Sequence, residues 1–200
     1  MHHSDPWTHG FLKIPYDQKV QTPSFSLQRN NPIHIEFCSG NGLWIANKAK
    51  AFPHIDWIAI EKRGDRARKI LKKRKANTLD NLFVVHGEGK SFASQFLDKN
   101  SIDSIFVNFP DPWPKRRHAK HRLIDAPFIE RLREILKKAG SVTLVTDDQT
   151  YADAASKLFL ENAHFALTPF DESNYGSSFF SDLWLSQGKK ILFQRFQLTR

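Results

Sequence analysis

The stretch IHIEFCSGNGLWIANKAKAFPHIDWIAIE, residues 33–61, decides the fold. Ile33-His34-Ile35-Glu36-Phe37 reads as a short β-strand, because β-branched and aromatic residues crowd a run that follows Pro32 and stops at a Ser/Gly/Asn cluster. Cys38-Ser39-Gly40-Asn41-Gly42 is a loop, and Leu43 to Ala51 space their apolar residues as a helix until Pro53 closes it. A second strand, Trp57 to Ile60, ends at Glu61. Two strands joined through a helix run parallel, since parallel neighbours need a crossover that a tight turn cannot supply.

The same alternation continues toward the C-terminus. A basic helix from about Asp65 to Lys75 buries Ala67, Ile70 and Leu71 and turns its cations outward. Leu82 to Val85 make a strand before Gly87-Glu88-Gly89, a helix lies near Ser91 to Leu97, and a strand runs from Ile102 to Phe109. That strand must stop there, because Pro110, Pro112 and Pro114 have no N–H to give a ladder. A helix from about Pro127 to Lys138, a turn at Gly140, a strand from Ser141 to Thr146 and a helix near Thr150 to Asn162 follow. The tail after Phe165 is less regular, with a Gly/Ser stretch at Tyr175 to Ser178 and a last strand near Ile191 to Phe196. Such alternation predicts an α/β fold, a mostly parallel sheet with helices on both faces. Residues 1–31, rich in His, Pro, Asn and Gln, read as an N-terminal arm, and residues 32–200 as one domain.

Composition narrows the function. No run approaches the roughly eighteen apolar residues of a membrane span, and His2, His3, Asp5 and Pro6 leave no signal core, so the expectation is a cytoplasmic protein. Its one cysteine, Cys38, and the lack of paired Cys/His spacings argue against an internal disulfide and a structural metal. Thirty Lys and Arg against 21 Asp and Glu give a net charge of +9, which favours a polyanionic partner through phosphate contacts. Two segments hold much of the excess: residues 62–75 with nine basic residues and one acid, and residues 115–122 with five basic residues, two histidines and no acid. His118 and His121 amid those cations make a poor metal site.

In a parallel sheet ligands bind beyond the carboxyl ends of the strands, and here an acid stands at each: Glu36, Glu61, Glu88, Asp111, and Asp147 followed by Asp148. Any one of them has an ordinary alternative as a helix cap, Asp147 or Asp148 for the helix at Thr150 included. Five in succession within a basic chain point to a cleft for a cation or for hydroxyl and amine donors. Gly40-Asn41-Gly42 supplies a tight turn, but Ile45 replaces the third glycine of a dinucleotide fingerprint, which disfavours a pyrophosphate cofactor. Glu61, nineteen residues after Gly42, is spaced to accept ribose hydroxyls. S-adenosylmethionine, with its sulfonium and ammonium, fits such a set.

The segment Asn108-Phe109-Pro110-Asp111-Pro112-Trp113-Pro114-Lys115-Arg116-Arg117-His118, continuing through Lys120, His121, Arg122 and Leu123, closely resembles the FPDPWPK-x-RH-x-KRR signature of the bacterial tRNA (guanine-N7-)-methyltransferase family. Glu36 to Gly42, Glu61, Gly87-Glu88 and Thr146-Asp147 before Tyr151 add to the resemblance, which runs from Pro32 to near the C-terminus. It implies a Rossmann-like class I methyltransferase with a seven-stranded, mostly parallel sheet whose last strand is antiparallel, acting on the guanine of the tRNA variable loop, position 46 in tRNA numbering. It further implies cofactor binding by Glu36, Gly40, Gly42, Glu61, Glu88 and Asp111, with Asp111 also the catalytic residue. Lys115 and Asp147 would contact the substrate nucleotide.

The family's C-terminal T-x-F-E segment aligns on Ser178-Phe179-Phe180-Ser181, making Ser178, Phe180 and Ser181 substrate-binding candidates. Ser181 cannot accept two amine donors as a glutamate does, and either Asp182 substitutes or guanine recognition weakens. Arg116, Arg117, Lys120 and Arg122, beside the catalytic loop, and Arg66, Lys69 and Lys73 on the basic helix, are expected to grip RNA phosphates. Trp113 either stacks on the guanine or the cofactor or packs in the core. A monomer is expected, with a homodimer as the alternative. Two other functions compete: an N-methyltransferase for an exocyclic amine, since Asn108-Phe109-Pro110 before Asp111-Pro112-Trp113 loosely echoes the N-P-P-aromatic loop of that class, and a non-catalytic RNA-binding module.

Overall fold

The computed structural model describes residues 10–14 and 30–199; the remainder of the N-terminal arm and Arg200 lie outside the described residues. The chain divides into two compact units with the boundary between Leu97 and Asp98.

In the first unit four parallel strands stand in the order β1-β4-β3-β2. They are β1 (Phe11–Lys13), β2 (Ile33–Phe37), β3 (Asp56–Glu61) and β4 (Leu82–His86). Helices α1 (Leu43–Ala51), α2 (Gly64–Ala76) and α3 (Gly89–Phe96) complete the unit. All six residues of β3 are buried, as expected of an inner strand in a sheet covered on both faces. Ile35 faces Ile58, and Ile58 faces Phe83, so one apolar row crosses three strands. Helix α2 buries Ala67 and Ile70, leaves Leu71 half-buried and points most of its cations outward. Asn81 fastens the exit of α1: its amide nitrogen donates to the carbonyls of Ala49, Phe52 and Ile55 at 3.0, 3.1 and 2.8 Å.

Strand β1, formed inside the N-terminal arm, raises the expected seven strands to eight among the described residues. Its three residues are too short and too mixed to register as a periodic run. They are held by pairing Phe11 with Val84 and by the Ile14 N–H donating to the His86 carbonyl.

The second unit contains β5 (Ile102–Asn108), α4 (Ala126–Ile135), β6 (Leu136–Thr146), α5 (Gln149–Glu161), β7 (Phe165–Thr168), α6 (Phe179–Ser186) and β8 (Leu192–Leu198). The strand order is β5-β6-β8-β7, with β5 and β6 parallel and β8 antiparallel to both its neighbours, as the resemblance implied for the last strand. Asp125 caps α4 by accepting the Phe128 N–H. That helix ends at Ile135, three residues short of the Lys138 expected from the sequence. Leu136 turns extended and pairs with Ile102, while Ala139 at φ 62° and Gly140 form an irregularity before Ser141 resumes the ladder opposite Ser104. Phe159 stacks on Phe196 at 4.1 Å and meets Phe165 edge-on at 5.2 Å, filling the core under α5.

Candidate active site

In the first unit three acids follow or end three strands, and the backbone aims at least two of them. Glu36 and Glu61 are 2% and 5% exposed. Both oxygens of Glu61 are positioned by main-chain donors: the Gly40 N–H to Oε2 at 2.8 Å and the Arg63 N–H to Oε1 at 2.7 Å. The end of β3 is thereby tied to the glycine loop after β2. Burial pushes the Glu61 carboxyl above its usual pKa, while the Arg63 N–H, the Arg66 charge and the Gly40 N–H pull the other way. Ser39 braces the loop from below, its hydroxyl donating to the Glu36 carbonyl and its N–H to that of Ile60.

Gly42 starts α1 at φ 74°, and a Cβ there would sit 2.6 Å from Ile70 Cγ1, so this position requires glycine on two grounds. Glu88 caps α3 through the Ser91 N–H at 2.8 Å to Oε2. The helix-cap alternative open to any strand-end acid is thus realised at Glu88 through Oε2. Buried carboxylates on the neighbouring strands β2 and β3 suit a cofactor that brings ribose hydroxyls and an ammonium; S-adenosylmethionine is such a molecule.

The second unit carries the proline-punctuated loop. The Phe109 N–H donates to the Val145 carbonyl as β5 ends, after which Phe109 and Trp113 take left-handed backbone angles, φ 47° and 43°. Non-glycine residues occupy that region at a cost, so the Pro110–Pro114 turn is held open by its surroundings. Asp111 at its tip is exposed. Arg122, expected on phosphate, is committed to the loop: Nε donates to the Pro112 carbonyl at 2.9 Å, Nη2 lies 3.4 Å from that of Trp113, and the guanidinium sits 5.5 Å from the Tyr151 ring centre. Trp113 packs against His118 and His121 at 5.7 and 5.2 Å, over the short 3-10 helix of residues 116–121. Lys115, Arg117 and Lys120 are exposed, as phosphate contacts require, with Arg117 Nε donating to His118 Nε2. The Arg116 side chain lies outside the described residues. On α2, Lys69 is exposed and Arg66 and Lys73 are half-buried.

At the end of β6 the two neighbouring acids part. Asp148 caps α5 by accepting the Tyr151 N–H at 2.7 Å, and Asp147 is left to pair with Lys189 Nζ at 2.7 Å. Ser178 and Ser181 do not serve as free hydroxyls toward a substrate. They form the capping box of α6: Ser178 Oγ accepts the Ser181 N–H at 3.0 Å and Ser181 Oγ accepts the Ser178 N–H at 2.8 Å, with both residues buried. A T-x-F-E segment has the spacing of the same box, so the serine preserves the cap while removing the carboxylate. Asp182 is exposed and accepts from the Ser177 hydroxyl. Phe180 leans on Phe109, ring centres 5.9 Å apart.

Lys189 and Trp184 are not singled out by the sequence, although a signal for their approach exists. Gly188 at φ 73° is a helix-terminating glycine, and the Lys189 N–H donates to the Trp184 carbonyl while that of Gly188 donates to Leu185. This pairing folds the second residue past the cap back over the third from the end. It sets the Lys189 ammonium 3.7 Å above the Trp184 ring.

Among the described residues no three His, Cys, Asp or Glu side chains group to hold a metal, and no helix is long and apolar enough to cross a membrane. A protein family described as putative methyltransferase matches residues 30–184. The tRNA (guanine-N(7)-)-methyltransferase of Chlamydia caviae is 41% identical over 175 residues, 84% of this chain and 76% of the relative. That of Clostridioides difficile is 30% identical over 191 residues, 92% and 89% of the two chains. Among solved structures, a SAM dependent methyltransferase from Aquifex aeolicus aligns at TM-score 0.59 and 13% identity, covering 84% of this chain and 82% of that one. An rRNA methylase from Streptococcus thermophilus aligns at 0.58 and 13%, covering 86% and 89%. At that identity the likeness speaks for the fold alone, the Rossmann-like methyltransferase fold. The signature from Asn108 to Leu123, the glycine loop tied to Glu61, and relatives of this identity and coverage lead to one conclusion: the chain belongs to the tRNA (guanine-N7-)-methyltransferase family.

Proposed function

We propose that this protein transfers the methyl group of S-adenosylmethionine to N7 of a guanine in tRNA, in the variable loop at position 46, giving N7-methylguanosine. The observation that carries the reading is the Glu61 carboxylate, buried yet fixed through both oxygens by the Gly40 and Arg63 N–H groups. A buried acid whose ionisation is disfavoured by its surroundings is costly unless a ligand uses it. Glu61 accepts the ribose hydroxyls, and Glu36 and Glu88 accept from the amine donors of the cofactor, beside the turn of Gly40 and Gly42. When bound, the cofactor supplies an electrophilic methyl group.

Guanine N7 presents an in-plane lone pair, so no proton need be removed before attack. Catalysis is then mainly alignment, with fixed negative charge stabilising the methylated, cationic ring. Asp111 orients the base and holds that charge rather than acting as a general base. Asp147 accepts from the base, Lys115, Arg116, Arg117 and Lys120 hold phosphates beside the target, and Arg66, Lys69 and Lys73 contact the RNA backbone. Residues 32–200 act as one methyltransferase domain, in a cytoplasmic monomer that uses no metal. The test is incubation with methyl-labelled S-adenosylmethionine and unmodified tRNA, followed by mapping of the label. Label at a guanine that yields to reductive aniline cleavage supports the reading. Label on an exocyclic amine, or tRNA binding without transfer, overturns it in favour of the competing functions.

A further inference from the structure

Guanine has to be told from adenine by a chain that has Ser181 where the T-x-F-E pattern implied by the resemblance has a glutamate. Ser181 is 5% exposed and its hydroxyl is spent in the α6 capping box, so it offers nothing to a base. The same helix delivers a different group. The terminal turn at Gly188 brings Lys189 over Trp184, and the ammonium, 3.7 Å above that ring, also meets Asp147 Oδ2 at 2.7 Å. Two features make this more than a surface ion pair. The Asp147 side chain is only 19% exposed, at the end of β6, and the lysine is held from two sides, by the ring and by the carboxylate. Its side chain is still 44% exposed, and an ammonium that gives one N–H to a carboxylate has two more to donate.

We propose that Lys189 and Asp147 together read the guanine edge, Lys189 donating to O6 while Asp147 Oδ1 accepts from N1–H and the 2-amino group. This rests on the guanine-N7 reading given above. One donor beside one acceptor matches guanine, which offers an acceptor at O6 and donors at N1 and N2. Adenine inverts both positions, with a donor at N6 and an acceptor at N1, so it meets the ammonium with an amine and the carboxylate with a lone pair. Trp184 acts as the positioning residue, fixing the ammonium through its ring face. Lys189 takes one carboxylate oxygen and leaves the other, which is why a single acid suffices where the T-x-F-E pattern supplies a second.

The experiment compares the wild-type protein with Lys189→Met on tRNA carrying guanosine, 6-thioguanosine or inosine at the mapped target. 6-Thioguanosine keeps N1–H and the 2-amino group but replaces O6 with a poor acceptor; inosine lacks only the 2-amino group. Lys189→Met is expected to lose roughly ten- to hundred-fold in kcat/KM on guanosine, the size of a lost base-edge contact. Wild type is expected to lose a comparable factor on 6-thioguanosine, and the variant almost nothing further. Inosine should cost both proteins alike. Equal thio penalties in the two proteins would reduce Lys189 to a counter-ion of Asp147 and overturn the proposal, as would an unimpaired variant. Failure of the wild type to make N7-methylguanosine in any tRNA would instead sink the functional reading.

Discussion

Replacing Arg122 with alanine tests whether the Pro110–Pro114 loop is held from inside. The perturbation removes a charged donor from the Pro112 carbonyl at 2.9 Å, and a guanidinium 5.5 Å from the Tyr151 ring centre. A hydrogen bond from a charged group is worth about 1.5–3 kcal/mol, and the ring contact about 0.5–1 kcal/mol at a partly exposed site. The Nη2 contact to Trp113, at 3.4 Å, adds little. Together the brace contributes about 2–4 kcal/mol. The left-handed angles at Phe109 and Trp113 store about 1–3 kcal/mol each, so the brace and the strain are of one size. Its loss should therefore relax the loop rather than unfold the protein.

With Asp111 two residues from Trp113, that relaxation displaces the carboxylate proposed to orient the base. At about 1.4 kcal/mol per decade, kcat should fall by roughly thirty- to several-hundred-fold. The assay is steady-state methyl transfer to tRNA, with tRNA affinity measured over a salt series and melting followed in parallel. A bracing Arg122 lowers kcat and leaves the salt slope unchanged; one that grips phosphate reduces the slope by about 0.7–0.9. Unchanged kcat with a reduced slope would refute the bracing role.

Glu61 carries the pH dependence. Its folded pKa is raised by burial, so the ionised carboxylate lowers stability at neutral pH, and that cost disappears as pH falls below the ordinary value of 4.5. Cofactor binding has the opposite sign: affinity for S-adenosylmethionine should drop by up to about tenfold per pH unit below the raised pKa, and calorimetry should find this dependence gone in Glu61→Gln. Asp111→Ala should cut methyl transfer at least about a hundred-fold while tRNA still binds, whereas Lys115→Ala should weaken both; an essential base of near-neutral pKa assignable to Asp111 would contradict its orienting role. Cys38 sits at φ 63°, so Cys38→Gly should stabilise the fold by up to about 1 kcal/mol in denaturant titrations, and a loss would mean that its side chain outweighs the strain. Asn81→Ala, which abandons three main-chain acceptors, should cost about 1–3 kcal/mol, and an unshifted unfolding midpoint would speak against its fastening role.

Residues 33–61 alone specified strand, glycine loop, helix and strand, because both periodicities and the turn residues are local properties of the chain. The acids at the strand ends were equally legible, since a strand's end is marked by the turn that follows it. Which acid caps the helix and which pairs with Lys189 was not: Asp147 and Asp148 are adjacent and chemically alike, and only the path of α5 gives the cap to Asp148. Strand β1 carries no local signal either, as three residues hold their conformation only because β4 lies alongside.

The serines at 178 and 181 looked like substrate groups in a one-dimensional alignment and are bonded to each other in three dimensions. Arg122 reads as one more cation in a basic string, yet the fold turns it inward onto the loop that it follows. Lys189 meets Asp147 across 42 residues of chain. Local sequence sets propensity and periodicity, whereas the partner of a long, flexible, charged side chain is settled by which elements the packed core brings within its reach.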